Sequence, residues 1–492
     1  MRSRDAIRLN AADNAVILPH GGDAGDTAAG ISLLNDVPPG HKIAAAPISE
    51  GQAIVKYGRR IGEASSDIHP GEWIHEHNMR TRLGAGDELP EWNASVWADA
   101  ETKPAEERKF FTGYRREGGP PGVRNDLWII PTVGCINGEL RSVISRYRVP
   151  DWITSVKVLE HPYGCSQLGD DLTMTRRILT GLAANPNAAG VLLVGLGCEN
   201  LELRGLEEGV RKRMHPSRFR SLTLQSSSAD DIVRLLGELA ESAPRERVRY
   251  DASELCVGVK CGGSDGYSGL SANPLAGRFA DRLASWGGAL LCTEIPEMFG
   301  AEDEIVERIH DKSVYDSFIA LDMWFRDYFR RHGQPIYENP SPGNRAGGIT
   351  TLEEKSLGAV EKIGSSPITA ILEYGEPRRG GGVQITFGPG NDPVSCTALA
   401  GSGAQIILFT TGRGTPFGSV VPTMKISTNS GLAKRHLDWI DFDAGALLDG
   451  ESWSEATERL TDCVLRVASG ERTKNESKNV AEIAIFKDGV TL

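Results

Sequence analysis

GVLLVGLGCEN, residues 190–200, is the stretch that decides the fold. It opens as a strongly apolar run and ends in polar residues, the pattern of a strand covered on both faces of a parallel sheet. The same grammar recurs on either side. LWIIPTV (127–133) leads into a helical stretch near Glu139–Arg148, and a strand over Val156–Glu160 precedes a helix over Leu172–Leu182. Ser228, Ala229 and Asp230 then open the helix SADDIVRLLGELAES. A second unit begins near Leu255 with CVGVK, the helix NPLAGRFADRLASW and the strand GALLCTE. Alternating strands and helices predict an α/β body with Rossmann-like parallel sheets.

Upstream the pattern differs. Residues 1–80 read as a small β-rich domain, with short strands such as Ala15–Leu18 and Lys42–Ala44 between Gly, Pro and Asp turns. It closes with GEWIHEHN (Gly71–Asn78), and in a strand that spacing projects His75 and His77 from one face. Residues 81–105 are polar and Pro-punctuated, a linker. Two α/β domains follow, 106–248 and 249–492.

A chain of 492 residues is too long for one core. A net charge of −12 and the absence of any basic run exclude a nucleic-acid surface. No stretch of about 18 apolar residues offers a membrane span, and the polar N-terminus lacks a secretory apolar region. The expectation is a cytoplasmic protein with a small-molecule ligand, with self-association left open. Eight cysteines scattered through so large a chain read as reduced thiols, not a disulfide framework.

Ligands of open parallel sheets sit beyond the carboxyl ends of the strands. There this chain places GCIN (134–137), HPYGCSQLGDD (161–171), CEN (198–200), CGGSDGYSG (261–269), and Glu294 with Glu297 and Glu302. A single Gly-Cys is usually a turn beside a small core residue. Four such ends on adjoining sheets suit a site, and thiolate, imidazole and carboxylate together suit iron or another first-row metal. The candidate ligands are His75, His77, Cys135, Cys165, Cys198 and Glu199. Glycine-rich loops farther on fit a polyhydroxylated anion, with Arg413, Asn344, Ser264 and Asp265 as substrate contacts. Arg413 reads equally well as a solvated turn. Lys425 is a candidate for the acid group or for proton transfer. A dinucleotide-binding oxidoreductase is the weaker alternative, because GLGCEN lacks the third glycine and Glu199 would repel a pyrophosphate. A non-catalytic sugar-binding module ranks lower still, since it needs none of the downstream polar loops.

The segments GVRNDLWIIPTVGCING, YGCSQLGDD, VLLVGLGCEN, CGGSDGYSGLSANPLAGRF, TEIPEMFGAE, IYENPSPGNRAGGITTLEEKSLG, FTTGRGTPFGSVVPTMKI and WIDFDAG resemble those of the altronate/galactarate dehydratase family. The similarity runs from HKIA (His41–Ala44) to Leu492. It implies an N-terminal SAF domain of β-clip fold and a hydro-lyase of hexuronate catabolism. It also implies dependence on iron(II) or manganese, and conversion of D-altronate to 2-dehydro-3-deoxy-D-gluconate; galactarate is the alternative substrate. The family pattern carries a His where this chain has Leu172, so either the preferred sugar acid differs or that position merely packs. The reaction needs an enediolate stabilised by a Lewis acid and a base, for which His75, His77 and Lys425 are the candidates. One arrangement puts the metal among His75, His77 and Glu199, with the cysteine loops lining the site. The rival gives the three thiolates to an iron–sulfur cluster.

Overall fold

The computed structural model describes residues 3–84, 89–93 and 107–492. The boundary expected near residue 105, and most of the linker expected over 81–105, lie outside the described residues.

The first sheet holds four parallel strands: β1 (Asp126–Pro131), β2 (Val156–Val158), β3 (Ala188–Gly195) and β4 (Phe219–Thr223), in the order β2-β1-β3-β4. Its helices are α1 (Asn137–Ile144), α2 (Gly169–Ala183), α3 (Leu203–Arg211) and α4 (Ala229–Ser242). Side chains alternate across the sheet. Leu127, Ile129, Leu192 and Val194 pack with α1 and α4, while Trp128, Ile130, Val191 and Leu193 face α2, α3 and the main core. Both faces are therefore apolar, which is why β3 reads as a continuous run. Each such buried aliphatic stabilises by ~1.5–3 kcal/mol. The start of α4 is fixed by a capping box, Asp231 N donating to Ser228 Oγ and Ser228 N to Asp231 Oδ2. Helix α2 begins three residues before the expected Leu172, because Asp170 and Asp171 favour the positive end of the helix. Leu172 is half-buried against the main core.

The second sheet has seven parallel strands: β5 (Cys256–Cys261), β6 (Ala289–Cys292), β7 (Ile368–Leu372), β8 (Gly382–Thr386), β9 (Ile406–Thr411), β10 (Thr423–Ser427) and β11 (Phe442–Asp443). Their order is β7-β8-β6-β5-β9-β10-β11, so the winding reverses between β5 and β9, and the helix α5 (Ala272–Ser285) links β5 to β6. An antiparallel ribbon, Phe110–Arg116 paired with Arg247–Asp251, carries the chain into and out of the first sheet.

Residues 3–80 form three small three-stranded sheets, as the turn-rich sequence predicts. One face of this domain closes over Val16, Leu18, Leu33, Val37 and Ile43, and Ile48, Ile54 and Ile61 join the main core. It docks on the C-terminal half through charge. Lys42 Nζ lies 2.8 Å from Glu354 Oε2 and 2.7 Å from Thr350 Oγ1, and Lys56 Nζ lies 3.0 Å from Glu354 Oε1, all buried. GEWIHEHN departs from expectation. Only Trp73–Ile74 is strand, and His75–Asn78 is a turn in which His75 N donates to Asn78 Oδ1 and Asn78 N to His75 O. The Asn78 side chain competes with strand pairing, so His75 and His77 do not share a strand face. Among the described residues, no helix is long and apolar enough to cross a membrane.

Candidate active site

At the β5/β9 reversal lies a cavity of about 530 Å³. It is walled by the loops after β5 (Cys261–Gly263), β6 (Pro296, Glu297) and β8 (Pro389–Asp392). The helix α6 (Lys312–Arg331) contributes Phe325, Tyr328 and Phe329, α7 (Pro342–Ala346) contributes Pro342 and Asn344, and α8 (Leu352–Val360) contributes Lys355. This is the place where a doubly wound sheet opens a crevice. Another cleft, of about 240 Å³, lies at the start of β2 against residues 472–481, away from these strand ends.

Three lysines and three carboxylates cluster at the larger cavity: Glu297, Lys355 and Asp392 line it, and Lys260, Glu294 and Lys362 are fully buried against it. Lys260 Nζ is 2.8 Å from Glu294 Oε1, also pairs with Asp392, and donates to Cys261 O. Lys362 Nζ is 3.1 Å from Glu294 Oε2. Lys355 Nζ is 2.9 Å from Glu297 Oε1 and 3.0 Å from Asn339 Oδ1. Burial alone would lower Lys260, but Glu294, Asp392 and Glu297 outweigh it and hold it well above the usual lysine range. Glu294 shows the converse: burial opposes its charge, and Lys260 and Lys362 hold its carboxyl below the usual range. Glu294 also sits at φ 73°, a left-handed conformation that costs a non-glycine residue about 1–3 kcal/mol. That turn follows β6 directly and puts its carboxylate under the Cys261 amide, at 3.2 Å. Gly390 is needed opposite, because a Cβ there would fall 2.7 Å from Glu297 Oε1.

Cys261, Glu294 and Glu297 make a possible metal-binding triad, with one donor atom of each within 4.8 Å of the others. Charge decides how well it fits an ion. The carboxylates are already neutralised by ammonium groups, and Lys260 and Lys362 sit on the two Glu294 oxygens. Burial, then Glu294, pushes the Cys261 thiol up to about 12, which keeps it protonated. A divalent ion would have to displace lysines from a balanced cluster, so the residues as placed do not fit one.

The residues singled out from sequence fall in three places. Asn344 lines the cavity, but its amide is committed: Nδ2 donates to Ser264 O, and Oδ1 accepts from Ser341. Ser264 and Asp265 border a neighbouring space of only about 10 Å³. Asp265 is a buttress, accepting from Thr428 Oγ1, Asn429 Nδ2 and Tyr267 N, and burial pushes it up to about 6. Exposed Arg413 is not among the residues that line the cavity; its Nε lies 3.7 Å from where a Gly343 Cβ would be, between the lining residues Pro342 and Asn344. Lys425 lies outside the cavity lining, buried over the Phe409 and Phe417 rings and donating to Phe417 O. Half-buried His75 places Nε2 3.0 Å from Arg345 O, so it props α7, while His77 is exposed 5.5 Å from the Trp73 ring.

Glu199 is remote in role from both histidines. Its oxygens accept from Thr132 Oγ1 and from the amides of Leu196, Gly197 and Cys198. Among the described residues, His75, His77 and Glu199 do not come together as one group of metal donors. Cys135, Cys165 and Cys198 follow β1, β2 and β3 respectively, in the other sheet. The lysines at positions 260, 355 and 362 were missed. The available signal was Lys260 itself, a cation inside the apolar strand CVGVKC.

Fold and site together define a multidomain α/β enzyme whose cavity offers buried, paired acids and bases to a small polar substrate. Family models match along nearly the whole described chain: the altronate/galactarate dehydratase SAF domain at residues 4–82, the second domain of D-galactarate dehydratase/altronate hydrolase at 113–245, and the C-terminal domain of D-galactarate/altronate dehydratase at 252–491. The altronate dehydratases of Bacillus subtilis (strain 168) and Escherichia coli (strain K12) are 46% and 42% identical, over 94% and 99% of this chain and the same shares of their own. The galactarate dehydratase (L-threo-forming) of Escherichia coli (strain K12) is 32% identical over 90% of this chain and 88% of its own. The chain belongs to the D-galactarate/altronate dehydratase family.

Proposed function

We propose that this hydro-lyase converts D-altronate to 2-dehydro-3-deoxy-D-gluconate and water, in the cavity at the β5/β9 reversal. The observation that carries the reading is the Lys355–Glu297 pair, an ammonium and a carboxylate 2.9 Å apart on the cavity wall. Glu297 takes the proton α to the substrate carboxylate, and Lys355 protonates the hydroxyl leaving the β-carbon. The enol product then becomes the keto acid as the β-carbon gains a proton and the enol oxygen releases one to water. The pair, left as carboxylic acid and amine, resets by passing one proton back across its own hydrogen bond. Exposed Arg413, next to the loop that carries Pro342 and Asn344, receives the substrate carboxylate. The higher identity to altronate than to galactarate dehydratases supports the choice of substrate.

Iron(II) or manganese dependence and work in the cytoplasm belong to the same proposal. Because Cys261, Glu294 and Glu297 are a poor fit to a dication, no step above runs through a metal. The test is direct. Purified protein incubated with D-altronate, with and without iron(II), should yield a 2-keto-3-deoxy acid without nicotinamide cofactor, and faster than with galactarate. Absence of keto acid under every condition would refute the reading.

A further inference from the structure

Asn339 stands where the two members of the acid–base pair meet, half-buried on the cavity wall. Its Nδ2 donates to Glu297 Oε1 at 3.2 Å, and its Oδ1 accepts from Lys355 Nζ at 3.0 Å. Lys355 Nζ also donates to Glu297 Oε1 at 2.9 Å, which closes a triangle. The amide fits only one way round. Reversed, its oxygen would face a carboxylate and its NH₂ group an ammonium, and both contacts would repel. In the observed sense its two ends match a bare Oε1 and a protonated Lys355, the forms a base and an acid need before turnover.

The loop that presents this amide is fastened on both sides. Ser341 and Asn344 form the capping box of α7, and Arg345 Nε donates to Pro340 O at 3.0 Å. From the N-terminal domain, Glu76 Oε1 lies 2.6 Å from Arg345 Nη1, and His75 Nε2 donates to Arg345 O at 3.0 Å. Glu297 comes from the turn after β6 and Lys355 from α8, so the amide bridges groups carried by separate elements.

The same bonds sort the two carboxylate oxygens of Glu297. Oε1 accepts from both Lys355 and Asn339. Oε2 has the Cys261 thiol at 3.7 Å, a weak donor, and is the more basic and less committed oxygen.

We propose that Asn339 is a positioning residue for the dehydration, holding Glu297 Oε1 against Lys355 so that Oε2 meets the substrate α-carbon. This rests on the roles proposed for Glu297 and Lys355. Oε2 takes the α-proton, Lys355 gives its proton to the departing hydroxyl, and water leaves. A half-turn of the now neutral carboxyl brings the new O–H to the Lys355 amine, which takes that proton and restores both charges.

The test compares full-length wild type, Asn339→Leu and Asn339→Asp on D-altronate, read by keto-acid formation. Leu is close to Asn in size but makes neither bond. Asp keeps the acceptor for Lys355 and sets a second carboxylate against Oε1. Asn339→Leu should lower kcat roughly tenfold to a hundredfold, with KM within about threefold of wild type. Asn339→Asp should lose at least as much, whereas a side chain that only packs would make this closer mimic the milder change. On D-altronate deuterated at the α-carbon, Asn339→Leu should show a primary isotope effect on kcat, because proton removal has become its slow step. Wild-type kcat in both variants, Asp milder than Leu, a loss confined to KM, or a slowed variant without an isotope effect would overturn the proposal. If wild type itself forms no keto acid, the dehydration reading falls first and the role of Asn339 falls with it.

Discussion

Replacing Glu354 by Gln removes one charge and strands two. Glu354 is buried, and its two oxygens hold Lys42 at 2.8 Å and Lys56 at 3.0 Å across the contact between the N-terminal domain and α8. Burial opposes its ionisation, but Lys42 and Lys56 outweigh it and draw its folded value from 4.5 down to about 2. That gap is worth about 3 kcal/mol. The contribution is complete above pH 4.5 and is lost as pH falls toward 2. In the variant both ammonium groups stay buried with only neutral partners, and breaking such a group costs ~3–5 kcal/mol. For a unit of this size that lowers Tm by roughly 6–20 °C. The assay is calorimetry at a fixed scan rate, pH 7. The triple variant Lys42→Met, Lys56→Met, Glu354→Gln should recover much of the loss, because the charges go together. A Tm within about 2 °C of wild type for Glu354→Gln alone would refute the reasoning, since 1 kcal/mol moves a domain of this size by at least that much.

The cavity and its surroundings support three shorter predictions. Glu297→Gln should lower kcat by about 10²–10⁴, read by keto-acid formation, and should also lower Tm in calorimetry, because Lys355 is left buried without its carboxylate. Arg413→Ala should raise KM about tenfold to a hundredfold while kcat falls far less, the size of one charged hydrogen bond; an unchanged KM would return Arg413 to a solvated turn. Lys425 is lowered by burial, against the pull of Cys396, Asp441 and Asp392, to about 8. Its charge therefore destabilises the fold below pH 8, and that cost fades as pH rises toward 10.5. Lys425→Met should be more stable than wild type at pH 7 by about 1–2 kcal/mol, lose this gain above pH 10, and keep its turnover. Lost turnover in folded protein would make Lys425 catalytic.

Much of the fold was legible because it depends on local periodicity. The apolar run in GVLLVGLG, the cap Ser228 and the turn-rich first 80 residues each specify their element within a few positions. The placement of cysteines at strand ends was legible for the same reason. The features that were not legible share a cause too. His75 and His77 read as strand neighbours, but the Asn78 side chain closes a turn that no alternation pattern announces. Glu199 read as a ligand, and the bonds its oxygens accept from three amides and Thr132 are a local geometry that composition does not encode. Lys355 and Lys362 on α8 and just after it read as an ordinary polar helix face. Only the packing of that helix against the loops after β5 and β6 turns them inward to Glu297 and Glu294. Lys42 and Glu354 are far apart in sequence, and their pairing carries no signal in either neighbourhood.

The antiparallel ribbon that carries the chain into and out of the first sheet has a mechanical consequence. Tyr114 and Arg247 are register partners, so the ends of the whole intervening domain leave the rest of the protein side by side. The ribbon is fastened at its root, with Thr112 N donating to Ser469 Oγ and Arg247 Nη1 to Ala468 O. The domain is also held beyond the ribbon: Asn185 Nδ2 donates to Ala400 O and Ala404 O, Arg124 pairs with Glu476, and Trp128, Ile130 and Leu193 share the main core with the second sheet. The ribbon's geometry makes the domain a cassette, since cutting both strands at one rung removes it without leaving a gap for the remaining chain to bridge.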